Sequence, residues 1–497
     1  MKLLLPLLLV FACAAAKPPF DEAESLQNGQ QQDRVRDLYR AAAKSDPDPR
    51  RREKAALRAA DLEWRVFRNA AAARELLGTL DTTDAWLQRA RMDQDFATVQ
   101  KALAAAKTNE DRRKAHIGFA KIAVEQRREL AKAIALLEQV IAEDGPRVET
   151  SRLLLNVALL AGDHATALRA FRWYYADVPA LAGANDLGRA LVQGRLYEEA
   201  ALILKDAEVQ ECATAIKRLR AITDDHYRKA ATGDESVRAF HKAVRAAIPK
   251  NAEQRCAVVY TLGETDDVPG MHYGHRVLDE RRTVEQYGRK GSVRFVLLDN
   301  MVANGFMVWI RDGKTGTGGW NEKDVIYQVR PMYANGPVAA WLRLTDPERR
   351  AKEDRELAKA KGTLRGVELR MQRQYLETLP RERDAFIERY RREEFEHSIW
   401  AHEGRHAIDS THFGIEDAEE LEYRAKLSEI AFAASPRMAF AGGLLDPVGG
   451  GTPHGEANQR VLEGIQKVTG LKTLTELDTL TDEQLRRAAR QLDPLAR

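Results

Sequence analysis

The chain is poor in cysteine, has no excess of charge of one sign and, past its first sixteen residues, carries no long apolar run. Each absence excludes something. Only Cys212 and Cys256 lie beyond the leader and its edge, where Cys13 stands, and two thiols are too few to hold a metal ion. The 78 basic side chains are interspersed with 75 acidic ones, and no basic stripe is interleaved with aromatics, so no nucleic-acid partner is expected. Without a later apolar segment of sufficient length, no transmembrane helix is expected either. Charge-rich stretches such as Glu348–Asp354 read as solvated helix faces.

The one apolar run is at the start. Met1-Lys2 followed by Leu3–Ala16 has the charged and apolar regions of a signal peptide, and is too short to span a bilayer. Two cleavage readings are open. Ala14-Ala15-Ala16 suits an ordinary signal peptidase, which gives a leader of residues 1–16. Val10-Phe11-Ala12-Cys13 resembles a bacterial lipobox, in which Cys13 becomes the lipidated first residue and attaches the protein to a membrane. Either reading implies export to a bacterial periplasm or cell envelope. That compartment permits a disulfide between Cys212 and Cys256, and two buried free thiols are the alternative.

Two textures follow, and together they give a mostly α fold with a smaller α+β part. Residues 17–250 are rich in Ala, Leu, Arg and Glu, with apolar residues recurring at three and four, the period of an amphipathic helix. Within them Ala131–Leu137, His164–Ala170 and Tyr197–Ile203 echo one another. Aligned on their Ala-Leu pairs, they place Ala135, Ala167 and Ala201 at spacings of 32 and 34 residues. Glycine turns at Gly162-Asp163 and Gly194-Arg195 open two copies, and Pro146 and Pro179 read as closing two helix pairs. The pattern resembles tetratricopeptide repeats, which implies an α-solenoid whose concave surface binds a protein partner or peptide. The bland alternative is a generic array of helical hairpins.

Residues 251–497 read as α+β. Ala257–Leu262, Val293–Leu298, Met307–Ile310 and Val325–Val329 are strand-like runs, and Asp312–Trp320, with four glycines, suits a hairpin or flap. A phosphate-binding loop is excluded because the GxxxxGK[ST] order is missing. Helical pattern resumes from Pro347 to Thr411, with a break at Pro380, and near its end stands His402-Glu403-Gly404-Arg405-His406.

HEGRH matches HExxH. Histidines at i and i+4 share a helix face, so one Zn²⁺ can meet both rings, and Glu403 sits where it can take a proton from a zinc-bound water. Two histidines facing solvent at a helix end are the plain alternative. A catalytic zinc needs a third protein ligand. His412 has the spacing of the metzincin pattern HExxHxxGxxH, with Asp409 in place of its glycine. Glu422 opens a Glu-x-x-Ala on the helical segment Glu419–Glu429, and resembles the ligand helix of gluzincin-type peptidases; Glu419 is a third choice. The reading adopted is His402, His406 and Glu422.

Over the last 100 to 120 residues the chain thus resembles the HExxH zincin metallopeptidases. The resemblance implies a zinc-dependent hydrolase of peptide bonds with Glu403 as general base. Glu429, on the same face as Glu422, could orient a ligand, and Asp409 could accept the second ring N–H of His406. Gly404 inside a helix costs about 1 kcal/mol relative to Ala, and leaves a gap through which another segment could approach the metal. Asp324–Arg330 is the candidate edge strand for substrate, an interior strand being the alternative. His454, after the Gly449–Gly451 loop, is either an oxyanion donor or a plain surface histidine. A reading from a different class is a non-catalytic envelope scaffold with a structural or degenerate zinc site.

Overall fold

The structure, a computed structural model, describes residues 17–26, 31–229, 234–249, 251, 255–256, 258–262, 271–299, 301–302, 314–315, 319–322, 325–445 and 448–496. The leader, Cys13, the run Met307–Ile310 and five residues of the Asp312–Trp320 loop lie outside the described residues.

From Pro19 to Ala247 the described residues form fifteen helices, and most helices that follow one another in the chain pack together. Their starts are specified locally. Asp48, Asn69, Asp95, Asp163, Asp186 and Asp206 each accept a backbone N–H of the following turn, satisfying a donor that a helix start leaves open. Gly162, at φ 73°, ends Val148–Ala161, and Asp163 caps the next helix at once, so the Gly-Asp pair is one turn.

The internal echo holds in a shifted register. Ala135 is exposed, whereas Ala133, Ala167 and Ala200 are fully buried, and each is the fourth residue of its helix. Alignment on helix starts gives spacings of 34 and 33 residues and places the small side chain where neighbouring helices touch. Pro179 opens the short helix Pro179–Ala182 rather than closing a pair, as its fixed φ favours at the first helical position.

Beyond Cys256 the described strands are β1 (Val258–Leu262), β2 (Met271–Gln286), β3 (Arg289–Leu298), β4 (Met301–Val302), β5 (Lys314–Thr315), β6 (Gly319–Glu322) and β7 (Val325–Val329). Five of them form a sheet in the order β1-β2-β3-β7-β6, with β3 and β7 parallel and the other pairs antiparallel; β4 and β5 pair apart. Within the expected edge segment Asp324–Arg330, β7 is therefore interior, hydrogen-bonded on both sides, and cannot be the open edge for a substrate strand. The two long strands β2 and β3 meet at Tyr287-Gly288, both with positive φ, the turn whose twist matches a hairpin. One face of this sheet (Val293, Phe295, Leu297, Ile326) packs on Tyr333, Ile399 and Trp400, which fixes the segment entering HEGRH.

The helical array and the sheet share a buried polar seam. Arg330, with no solvent exposure, donates to Asp299 at 2.6 Å, lies 3.4 Å from Asp177 and stacks 4.0 and 4.2 Å from the Tyr174 and Tyr175 rings. Cys212 and Cys256 are bonded and buried, with Cα atoms 5.5 Å apart, so the disulfide reading is the one the structure adopts.

Glu394, two turns before the motif, keeps Oε2 out of solvent without a hydrogen-bond partner, and burial pushes its carboxyl up to about 8 against the pull of Arg391. The folded chain thus holds a proton that the unfolded chain has lost, between the ordinary glutamate range and about pH 8. Stability from this group is full below that window and drains as pH rises through it. We expect the unfolding free energy of wild type relative to Glu394→Gln to fall by up to about 1 kcal/mol per pH unit from pH 5 to 8. Urea denaturation across that range checks it, and parallel curves for the two proteins would remove the assignment.

Candidate metal centre

The last turns of the helix that begins at Arg383 widen. Glu396–Glu403 is a π-helical stretch that passes into the α-helix Gly404–Phe413, so HEGRH straddles the junction. Such widened turns are rare and cluster at functional sites. Here the widening has a readable effect. Residues five apart lie about 140° apart on an α-helix, but nearly share a face where the bonds close over five residues. His397 and His402 are five apart, and both reach Glu429.

The hairpin of β2 and β3 seats the motif helix. A Cβ on Gly404 would lie 2.7 Å from Val284 Cγ1, and one on Gly291 would lie 2.8 Å from the Ile408 backbone nitrogen. The two glycines let strand and helix close to near-contact. The gap at Gly404 is therefore filled by the sheet. Gln286 donates to the Ala401 carbonyl at 2.9 Å and accepts from Ser428 at 2.9 Å, tying hairpin, motif and the next helix together.

That next helix, Ala418–Phe432, follows the left-handed Gly414 and is capped by Asp417. It brings Glu422 to the two histidines. His402 Nε2 and His406 Nε2 are 3.1 Å apart, and Glu422 oxygens stand 3.6 and 3.5 Å from them. Three donors bound tetrahedrally to one zinc at ordinary bond lengths would be about 3.3 Å apart, so the spacing suits a single ion. These three residues are the one group of this kind among the described residues. Burial works to raise the Glu422 carboxyl, but the hydrogen bond from His406 and the nearness of His402, His406 and His454 bring it down to about 2, so it is an anion at neutral pH.

Behind the triad, Glu429 Oε1 lies 2.5 Å from His402 Nδ1. That contact places the ring proton on Nδ1 and turns the Nε2 lone pair toward the other two donors. Lys426 Nζ at 3.1 Å and His397 Nε2 at 3.3 Å hold the same carboxylate. Although burial opposes it, Lys426 foremost, with His397 and His402 beside it, holds the Glu429 carboxyl well below its usual range. Glu403, half-buried at the end of the π stretch, exerts its charge on His406, Lys426 and Tyr333.

Other expected participants stand elsewhere. His412 is exposed and bonds the Lys290 carbonyl at 2.9 Å, so it is not brought to the group, and neither is Glu419. Asp409 does not accept from His406: it is buried against Arg405 at 2.9 Å and Arg424 at 3.3 Å, and His406 Nδ1 has no hydrogen-bond partner. The guanidiniums win because a buried carboxylate is stabilised far more by a cation than by a neutral ring N–H. His454 is largely exposed, yet its Nδ1 stands 2.9 Å from Glu422 Oε2. It belongs to the surroundings of the triad.

Sequence reasoning missed His397, Lys426, Gln286 and Arg405. The first had a signal, a histidine five residues ahead of the motif, that only a π turn makes meaningful. Comparisons with protein-family models, with curated proteins and with solved structures find no match to this chain.

Proposed function

We propose that the protein is an exported zinc-dependent hydrolase of peptide bonds, its site built from His402, His406 and Glu422 with Glu403 as general base. The observation that carries this reading is the convergence of two imidazoles and an ionised carboxylate, with Glu429 fixing the His402 tautomer. Nitrogen and oxygen donors at this spacing suit zinc. Zinc held there would supply Lewis-acid polarisation of a carbonyl and acidification of water.

The chain's own residues supply the proton path. Glu403 takes a proton on its carboxylate as water oxygen bonds the scissile carbonyl carbon, then gives it to the amine nitrogen as the C–N bond breaks. Export is supported by the leader and by the disulfide, which persists in an oxidising compartment. The helices of residues 17–250 act, in this reading, as a tetratricopeptide-like solenoid that holds a protein partner or the substrate. Residues 251–497 form the zincin-like domain.

One contact favours a second reading, a scaffold with a structural metal site: His454 stands against Glu422 on the exposed side, where a catalytic site keeps a position open.

Zinc content tests the proposal. Protein purified without added metal should hold near one equivalent, lost in Glu422→Ala and kept in His412→Ala. Peptide hydrolysis should vanish with a chelator and return with zinc. No zinc in wild type after reconstitution would overturn the proposal, and zinc without hydrolysis of any peptide would leave the scaffold.

A further inference from the structure

Away from the metal triad, a cavity of ≈ 470 Å³ opens between the helical array and the helices that follow the sheet. Seven basic and four acidic side chains line it, over an apolar floor of Ile117 and Leu369. Its charges are not paired one to one. Asp144, only 7% exposed, is shared by Arg147 at 2.8 Å, Arg349 at 2.7 Å and Arg113 at 3.8 Å, and Arg349 also lies 3.7 Å from Asp346. Glu353, 8% exposed, likewise faces both Arg343 at 3.0 Å and Arg373 at 3.1 Å. Arg373 also pairs with Asp354 at 2.7 Å, so the sharing is closest at Asp144. Arg147 Nε is buried with no hydrogen-bond partner. Burial also presses the Arg147 guanidinium below its ordinary range; Asp144 and Glu149 pull it up and Arg349 and Arg113 push it down.

Concentrating like charge in a concave, partly desolvated place is unfavourable unless something anionic enters. Low-dielectric walls focus the field and raise the local concentration of anions. The volume falls in the usual range of small-molecule sites, and guanidinium forks match phosphate and carboxylate oxygens in pairs. We propose that this cavity binds a small polyanion carrying at least two phosphate or carboxylate groups, with Arg147 and Arg349 as its principal anchors and Lys352 at its mouth. The site joins the two parts of the chain, since Arg349 crosses to Asp144 and Asn109 to Glu348. Its occupant would tighten that seam. The proposal is independent of the metal centre.

Calorimetric titration of the full chain with tripolyphosphate and, separately, citrate tests it. We expect one-site binding that weakens as salt rises, because the contacts are ionic. Arg147→Gln should weaken it at least tenfold. Lys352→Glu, a change on an exposed side chain that leaves folding intact, should do the same. Preference for tripolyphosphate or for citrate assigns phosphate or carboxylate as the natural group. Absence of saturable binding to either probe, or equal binding by wild type and Lys352→Glu, overturns the proposal.

Discussion

Glu403→Gln should keep the wild-type zinc content while its turnover falls by about 10²–10⁴-fold, the usual contribution of a positioned general base. The substitution preserves shape and removes only the ability to accept a proton. None of the three donors of the metal group is altered, and Glu429 still orients His402. The loss should therefore fall on kcat, with KM nearly unchanged, because the proton moves only in the transition state. Turnover of the best-cleaved member of a fluorogenic peptide library, measured beside zinc content, checks this. Full activity in Glu403→Gln would take the general-base role away from this residue. Loss of zinc together with activity would instead make Glu403 part of the metal site.

How much of this was legible in the sequence differs from one element to the next. The two histidines and Glu422 could be read because helical spacing alone puts each on a definite face, and the turn at Gly414 sends the second helix back. Glu429 followed from the same spacing. The β2 strand was not legible. Its run from Asp279 to Glu285 is mostly charged, and those charges pair locally, Asp279 with Arg294 at 2.7 Å and Glu280 with Arg282 at 2.6 Å. A pattern search sees only polarity there. The interior position of β7 was hidden for another reason, since sheet order depends on crossovers that no local pattern records. The internal echo was visible but misregistered: matching Ala-Leu pairs aligned identities, whereas burial follows the distance from each helix start. Asp409 was read as a partner for the nearest histidine, because the guanidiniums that claim it belong to a tertiary network.

Arg405 is the clearest case of such a network, and removing it should cost about 3–5 kcal/mol, the penalty for stranding a buried charge. It is an unspecified position in HExxH, yet here it has no solvent exposure. Its guanidinium donates to both oxygens of Asp493 at 2.7 and 2.9 Å, to Asp409 at 2.9 Å and to Ser428 at 3.3 Å. The motif helix, the helix of Glu422 and the end of the chain are thereby joined at one side chain. Arg405→Ala leaves Asp493 buried and without its cation, while Asp409 keeps Arg424. Urea denaturation should show the loss as a lower midpoint. Arg405→Met with Asp493→Leu should recover a large part of it, because an apolar pair of similar volume avoids desolvating two charges. If the double variant is no more stable than Arg405→Ala, the cost lies in packing and the ion pair is not its source. Since Ser428 and Glu429 are adjacent, the single variant should also loosen the carboxylate that orients His402 and weaken zinc binding, by about the 10–100-fold typical of a lost outer partner. The residue between the two histidines would then govern both the stability of this half of the chain and the geometry of its metal group.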